Sequence, residues 1–392
     1  MKYDFDEIVD RSGTLSTKWE ACPGRIPLWV ADMDLPCAQP ILDALHARVD
    51  RRIFGYTETL TQEYTDAVRG WTQRRFGYAP QPEWIRYAGG VIQIISCLVY
   101  LLSKPGDRII IQRPVYGPFA MSTETQGRVV SDSKLKLTKQ ADGFARYEID
   151  FDDLAVRFAD PGTVGMILCS PHNPVGRVWT AQELRRIVDL AKANGKWIIA
   201  DEIHSDIVRA DQKQHALLAV APDYAENIYV CTSPSKTFNL AGMQLANAFI
   251  ANAEVRRRWD GYVANTLHVG HASPLSIAAM IAAYTEGEDW LDQANAYMDA
   301  NIAWLEGFVR EQLPKAVMTH SEGTYLCWLN LTAYEPDAKE LNRRLRDDAK
   351  VWLTEGTAFG AEDGLDWQRV NVACPRSQLA EGMRRIAAEL TK

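Results

Sequence analysis

The chain has 392 residues, of which 47% are hydrophobic, and it carries a formal net charge of -8 at pH 7 with a pI near 5.5. A chain of this length and composition can bury a large core and is expected to form two domains, which excludes disorder. The excess of acidic residues and the lack of a long Lys/Arg run exclude nucleic acid as an expected partner. No stretch approaches the about 20 apolar residues that a membrane span requires, so no membrane partner is expected.

The seven cysteines are dispersed along the chain and none is spaced as CxxC. This usage is typical of a reducing compartment and not of a disulfide framework. The first residues, Met1 to Glu7, contain no apolar segment of the kind found in signal peptides. We therefore expect a cytoplasmic enzyme.

Short apolar runs alternate with amphipathic stretches between residues 90 and 249, a pattern that predicts parallel strands joined by helices. The strands are predicted over residues 108–112, 165–169, 196–200, 227–231 and 246–250. A polar or Pro/Gly-containing loop follows each strand. In sheets of this kind, ligands bind beyond the carboxyl ends of the strands, so the site is expected there.

Two helices can be predicted in detail. Apolar residues recur on one helical face from Val91 to Leu102, between the Gly89-Gly90 turn and Pro105. Further along, Thr180 and Glu183 form a capping box, and Gly195 is placed to end that helix in a left-handed conformation.

The pattern changes after about residue 286. A long helix over 290–313, a strand over 325–331, another helix, a strand over 369–373 and a final helix from about Ser377 predict a smaller α+β domain. The first 45 residues lack a fold of their own and are expected to join it. The predicted architecture is α/β: a large domain over 46–286 with a mostly parallel central sheet flanked by helices, and a small domain formed by 1–45 with 287–392.

Lys236 and Asp201 are the candidate catalytic pair. Lys236 lies in a small polar loop after a predicted strand, and Asp201 ends an apolar run in which a carboxylate is costly unless a cation meets it. An amine and a carboxylate suit pyridoxal phosphate, whose aldehyde reacts with a lysine and whose ring nitrogen needs a carboxylate to stay protonated. Taken singly, Asp201 also fits a turn or helix-capping residue, and Lys236 fits a solvated lysine.

Further candidates follow neighbouring strands. Asn173 lies in a Pro/Asn/Gly turn, where its amide could contact the phenolate oxygen of the cofactor or form an ordinary Asx turn. Tyr116 could stack on the pyridine ring or fill the core. The backbone NH groups behind Gly89-Gly90 could bind a phosphate. The sequence contains neither GxGxxG nor GxxxxGK[ST], which disfavours dinucleotide and P-loop sites.

With these motifs the chain resembles fold type I pyridoxal-phosphate enzymes of the aminotransferase superfamily and, within it, the cystathionine β-lyase or carbon-sulfur lyase branch. The resemblance covers nearly the whole chain and rests on residues 28–34 (LWVADMD), 54–57 (FGYT), 171–174 (PHNP), 201–206 (DEIHSD), 235–239 (SKTFN) and 371–376 (NVACPR). It implies β-elimination of a thiol from L-cystathionine or related S-substituted cysteines, giving pyruvate and ammonia. An aminotransferase that uses the same residues is the alternative.

The resemblance also implies a role for individual residues. Lys236 is expected to be the Schiff-base lysine and proton shuttle, Asp201 to pair with the ring nitrogen, and Tyr116 to stack on the ring. Asn173 is expected to contact the phenolate oxygen and the substrate, and Arg376 to bind the substrate α-carboxylate.

The phosphate and phenolate contacts implied by the resemblance involve several further residues. They are Gly90, Val91, Ile92, Ser233, Ser235, His204 and, from the partner subunit of a homodimer, Tyr56. His204 also fits a core histidine. Gln244 stands where most aminotransferases of this fold have an arginine that pairs with the phosphate, which favours the lyase over transamination.

Two other classes of protein are considered. His268 and His271, with Asp201 or His204, could belong to a metal hydrolase, but neither HExxH nor a third ligand is visible, so no metal is expected. A regulatory protein that retains the cofactor and binds a partner is disfavoured, because the full set of catalytic residues is present.

Overall fold

A computed structural model describes residues 1–392, and its main element is a seven-stranded sheet. The strands in chain order are Ile85–Ala88 (β1), Arg108–Ile111 (β2), Val129–Asp132 (β3), Thr163–Cys169 (β4), Trp197–Asp201 (β5), Ile228–Thr232 (β6) and Ala246–Ile250 (β7). Their order across the sheet is β1-β7-β6-β5-β4-β2-β3. Strands β2 to β6 are parallel to one another, so their carboxyl ends meet at one edge.

Strand β7 departs from the expected pattern, because it pairs antiparallel with both β1 and β6. The prediction of a parallel strand over 246–250 is therefore wrong in direction, although its bounds are confirmed. A parallel return needs a crossover of a dozen or more residues, usually a helix. The chain between β6 and β7 contains only the four-residue helix Pro234–Thr237 and a short turn of helix at Ala241–Met243, and it re-enters the sheet beside β6.

Both faces of the sheet are covered, as the continuous apolar runs predict. In β5, Ile198 and Ala200 belong to a core of 77 buried residues, whereas Ile199 belongs to a second core of 24 residues on the other face. The helices up to residue 286 are Thr17–Glu20, Gln39–Val49, Gln62–Phe76, Val91–Leu102, Pro118–Glu124, Phe151–Ala159, Ala181–Ala193, Leu217–Val220, Pro234–Thr237, Ala253–Tyr262 and Pro274–Glu286. No helix has the length and apolar character needed to cross a bilayer.

The two helices predicted in detail are confirmed. One spans Val91–Leu102, and its N-cap residue is Gly90, which has no side chain to cap the helix. The other spans Ala181–Ala193, with the Thr180 hydroxyl and the Glu183 carboxylate forming the expected capping box. Gly195 follows it with a φ of 64°.

The remaining chain forms a four-stranded antiparallel sheet in the order Val317–Met318, Leu326–Asn330, Trp367–Asn371, Thr354–Glu355. Its helices are Glu288–Gln312, Ala338–Arg343 and Arg376–Leu390. The N-terminal residues contact both parts of the chain: Ile26–Pro27 pairs with Val351–Trp352, and helix Gln39–Val49 packs on helix Pro274–Glu286. Two hairpin strands, Lys136–Lys139 and Ala145–Glu148, complete the fold.

Gly165 of β4 provides a test of how tightly the sheet is packed. It pairs with Trp197 of β5, and a Cβ at this position would lie 2.1 Å from the Trp197 ring. We expect Gly165→Ala to lower the free energy of unfolding by about 1–3 kcal/mol, since overpacking forces a buried ring to move. Denaturant unfolding measures this.

The matched control is Gly307→Ala, in the interior of helix Glu288–Gln312, where a Cβ meets nothing within 4 Å. This change is expected to raise the free energy of unfolding by about 0.5–1 kcal/mol through helix propensity. Equal effects of the two substitutions would contradict the packing argument.

Candidate active site

A cavity of about 290 Å³ opens at the carboxyl ends of β4 and β5, beside the amino-terminal end of helix Val91–Leu102. It brings together residues that are far apart in the sequence. Most of the predicted cofactor residues line it, namely Gly90, Val91, Ile92, Tyr116, Asn173, Asp201, His204, Ser233, Ser235 and Lys236. Two predicted residues, Tyr56 and Arg376, do not.

Lys236 reaches the cavity from the four-residue helix Pro234–Thr237, which follows β6. Its Nζ donates a hydrogen bond to the backbone carbonyl of Ala31 at 2.7 Å. Burial lowers the pKa of this amine to about 8, and the nearby Arg369 guanidinium acts in the same direction. A larger fraction of Lys236 is therefore neutral near pH 7 than for a solvated lysine, and the neutral amine is the form that adds to an aldehyde or accepts a proton.

Asp201 is the last residue of β5, and its side chain is buried. Burial raises the pKa of this carboxyl to about 7, although the backbone NH of Ile203, which donates to Oδ1 at 3.0 Å, and the charge of Lys236 act in the opposite direction. A carboxylate in such a place is stabilised by a cation brought into contact with it. A protonated pyridine ring would supply that cation.

Arg369 is a site residue that sequence reasoning missed. It lies on strand Trp367–Asn371 and lines the cavity. Its Nη1 donates to Asn173 Oδ1 at 3.1 Å, its Nη2 to the carbonyl of Trp29 at 3.1 Å, and its buried Nε has no hydrogen-bond partner. Burial lowers the pKa of the guanidinium to about 10, so it remains charged near neutral pH. An arginine at the first position of the strand predicted over 369–373 was the signal that could have identified it.

Arg376, which was predicted to bind the substrate carboxylate, does not line the cavity. It is the first residue of the final helix, past the end of the strand that carries Arg369. Its Nε donates to Asn301 Oδ1, and its guanidinium lies over the Trp304 ring at 5.7 Å from the centroid. Both partners belong to the long helix Glu288–Gln312, so Arg376 joins that helix to the final helix Arg376–Leu390.

Asn173 and Tyr116 form part of the cavity wall. Because Asn173 Oδ1 accepts from Arg369, its Nδ2 group is the donor that remains for a ligand. Tyr116 is partly buried, and its ring packs edge-on against Phe119 at 6.0 Å between centroids. Burial raises the pKa of the Tyr116 hydroxyl, which therefore stays protonated.

His204 also reaches the cavity, with its ring edge-on to Tyr325 at 6.0 Å between centroids. Burial lowers the pKa of His204 to about 3, with Lys236 and Arg369 adding to the effect, so the imidazole is neutral. Its Nδ1 and the Tyr325 hydroxyl are both buried without hydrogen-bond partners.

The part of the cavity beside the amino-terminal end of helix Val91–Leu102 is suited to an anion. Gly90 is the N-cap residue of helix Val91–Leu102 and gives no side-chain hydrogen bond, so the first backbone NH groups of that helix are not capped. Ser233 and Ser235 both line the cavity. The Ser233 hydroxyl donates to the Leu245 carbonyl at 2.6 Å and accepts from the NH of Ser235 at 3.0 Å, so its proton is engaged within the protein.

The groups that line the cavity fit pyridoxal phosphate. The cavity combines an amine for the aldehyde, a buried carboxylate that lacks a cation, an amide donor, and a set of neutral donors at a helix amino terminus. Gln244 does not line this cavity, and its amide side chain carries no charge.

Tyr56 borders a second cavity of about 600 Å³, together with His268 and His271. Its side chain is 97% exposed. The second cavity shares Gly89 and Gln93 with the first. No group of three or more His, Cys, Asp or Glu side chains is arranged to hold a metal ion.

The chain is similar to known proteins over its full length. The family model "Aminotransferase class I and II" matches residues 28–386. Cystathionine beta-lyase PatB of Bacillus subtilis is 36% identical over 99% of this chain and 100% of its own length.

Two solved structures are also similar. The pyridoxal-phosphate-bound C-S lyase of Staphylococcus hominis has a TM-score of 0.92 at 33% identity, covering 100% of this chain and 99% of its own. Cystalysin of Treponema denticola, which contains pyridoxal 5'-phosphate, has a TM-score of 0.94 at 32% identity with the same coverage. The extent of these matches, and the agreement of the cavity with the motifs, place the chain in the aminotransferase class I and II family.

Proposed function

We propose that the protein is a pyridoxal-phosphate-dependent carbon-sulfur β-lyase, which eliminates a thiol from L-cystathionine or related S-substituted cysteines. The observation that carries the proposal is that Lys236, Asp201 and Arg369 line one cavity of a size suited to a small ligand. The end-to-end similarity to a protein named cystathionine beta-lyase supports the choice of reaction.

The residues divide into those that hold the cofactor and those that hold the amino acid. Asp201 would pair with the ring nitrogen, Asn173 would donate to the phenolate oxygen, and Tyr116 would stack on the ring. The backbone NH groups of Val91 and Ile92 and the Ser235 hydroxyl would bind the phosphate. When bound, pyridoxal phosphate supplies an electron sink for negative charge that develops at the substrate Cα.

Arg369 would bind the substrate α-carboxylate. Its guanidinium is held by Asn173, by the Trp29 carbonyl and by the Thr354 hydroxyl, which fixes the direction in which its remaining donors point. A planar guanidinium binds a carboxylate through two parallel hydrogen bonds, so it orients the amino acid as well as attracting it. A fixed carboxylate presents the Cα–H bond to Lys236.

The elimination uses Lys236 as the base. Its neutral amine takes the Cα proton, and the electron pair of that bond forms a Cα–Cβ double bond as the Cβ–S bond breaks. The thiolate leaves with the sulfur electron pair, which is favourable because a thiol pKa is only about 8.5, and it takes up a proton afterwards. One water hydrolyses the remaining enamine to pyruvate and ammonia, so the reaction consumes no oxidant and no second organic substrate.

Transamination by the same residues is the second candidate, because the family name covers aminotransferases. Its first proton transfer is the same. Afterwards it needs an oxo acid to remove the amino group from the cofactor, whereas β-elimination does not. Gln244, in place of the arginine expected in aminotransferases of this fold, favours the lyase.

The direct test of the proposed function is pyruvate formation by the purified protein loaded with pyridoxal phosphate. We expect L-cystathionine to give pyruvate, ammonia and a free thiol without any added oxo acid. The matched control is Lys236→Ala, which removes the base and is expected to lower kcat by at least about 10³-fold. Turnover that depends on an added oxo acid would establish the aminotransferase instead.

A comparison of two arginine variants tests whether Arg369 or Arg376 binds the substrate carboxylate. Arg369→Ala is expected to lower kcat/KM for the amino acid by about 30- to 150-fold, since a charge-assisted contact of about 2–3 kcal/mol is lost. Arg376→Ala is expected to leave kcat/KM within about threefold of the parent, because that side chain lies away from the cavity. Steady-state kinetics with one substrate measures both, and the reverse ranking would restore Arg376 as the carboxylate ligand.

We also propose that the protein is a homodimer in which Tyr56 contributes to the partner's site. Exposed apolar side chains lie together in the loop before helix Gln62–Phe76, with Ile53 70% exposed and Phe54 55% exposed beside Tyr56. Exposed apolar groups in one loop indicate an interaction surface. The second cavity, which Tyr56 borders, adjoins the phosphate end of the first.

Light scattering and variant mixing test this proposal. The purified protein is expected to have twice the mass of one chain. Mixing inactive Lys236→Ala chains with impaired Tyr56→Ala chains should restore part of the activity, because one site of each mixed dimer has both parental residues. A monomer of full activity would contradict the proposal.

A further inference from the structure

Asp206 and Thr237 belong to the two catalytic motifs but have no role in the reaction proposed above. Asp206 ends the segment that begins with Asp201, and Thr237 directly follows Lys236. The Thr237 hydroxyl donates to Asp206 Oδ2 at 2.8 Å, and both side chains are buried. One hydrogen bond therefore joins the turn that carries Lys236 to the loop that follows Asp201.

The turn that carries Lys236 has little stability of its own. The helix Pro234–Thr237 has four residues, far fewer than the about 12 that an isolated helix needs. Its amino-terminal end is held by Ser233, whose hydroxyl contacts both Ser235 and the Leu245 carbonyl. Its carboxyl-terminal end is held by the side chain of Thr237.

Asp206 is fixed from three directions. Trp71 Nε1 donates to the same Oδ2 at 3.2 Å, and Arg75 Nε lies 3.7 Å from Oδ1. Asn295 Nδ2 donates to the Asp206 backbone carbonyl at 2.8 Å. A buried carboxylate with these partners is costly to displace, so it gives Thr237 a rigid acceptor.

We propose that Asp206 is a positioning residue that acts through Thr237 to hold Lys236 in place relative to Asp201. The inference rests on the proposed function, because it concerns the lysine that would bind the cofactor. One small molecule must reach both Lys236 and Asp201 at once, so a shift of the lysine turn misaligns the base without removing any substrate contact. Arg369 lies on the other sheet and is unaffected.

The test uses the full-length protein loaded with pyridoxal phosphate and compares three variants. Thr237→Val removes the hydroxyl with little change of shape, Thr237→Ser retains it, and Thr319→Val is the matched control. Thr319 is also buried, and its hydroxyl donates to the Val175 carbonyl at 3.2 Å, but it does not line the cavity.

Thr237→Val is expected to lower kcat about tenfold or more, while KM for L-cystathionine changes less than about twofold. Thr237→Ser should recover most of kcat, and Thr319→Val should keep the parental value. A second readout does not need turnover: the rate at which visible absorbance develops when pyridoxal phosphate is added to the apoprotein. This rate should fall in Thr237→Val and not in Thr319→Val.

Parental kcat and parental uptake of pyridoxal phosphate in Thr237→Val would overturn the positioning role and leave the proposed function intact. If the parent itself takes up no pyridoxal phosphate, the proposed function fails and the inference fails with it. If Thr237→Val does not fold, Asp206→Ala is measured in the same way, because it removes the acceptor of the Thr237 hydroxyl, and a parental kcat there overturns the inference. Loss of folding in both variants would assign the contact to stability alone and also overturn it.

Discussion

The structure depends on keeping an amine and a carboxylate unsolvated in one cavity. Burial raises the pKa of Asp201 to about 7 and lowers that of Lys236 to about 8, so each group is moved toward its neutral form by the same physical cause. The apolar strands of the sheet make this arrangement possible, because they keep water away from the ends of β5 and β6. A bound ring with a basic nitrogen at one end and an aldehyde at the other would satisfy both groups.

Residues 29–33, near the N terminus, contact both Lys236 and Arg369, which lie on different elements of the site. Residues 29–33 form no regular strand, yet their carbonyl groups accept side-chain hydrogen bonds from the elements that carry the chemistry. The Trp29 carbonyl accepts from Arg369, that of Ala31 from Lys236, and that of Met33 from Asn239. Because irregular backbone must find its partners among side chains, this segment both depends on the site and helps to position it.

Electrostatics at the phosphate end differ from those at the ring end. At the end where the cofactor ring would lie, the titratable groups Lys236, Asp201 and Arg369 share one cavity, and its low dielectric strengthens each electrostatic interaction. Near the amino terminus of helix Val91–Leu102 the donors are neutral backbone NH groups and a hydroxyl. A helix amino terminus can bind phosphate through such groups and its dipole, which would compensate in part for the absence of an arginine at Gln244.

The sequence by itself determined five of the seven strands of the large sheet, the helices Val91–Leu102 and Ala181–Ala193 and the residues next to strand ends, because periodicity and capping are local properties. It did not indicate strands β1 and β3, which are four residues each. It identified Lys236, Asp201 and Asn173, since each lies in a short motif directly after an apolar run. Only the tertiary structure decided that β7 runs antiparallel and that Arg369 reaches the cavity in place of Arg376. Strand direction and the choice between two arginines seven residues apart depend on which way the chain turns after β6 and after Asn371, and that is set by long-range packing.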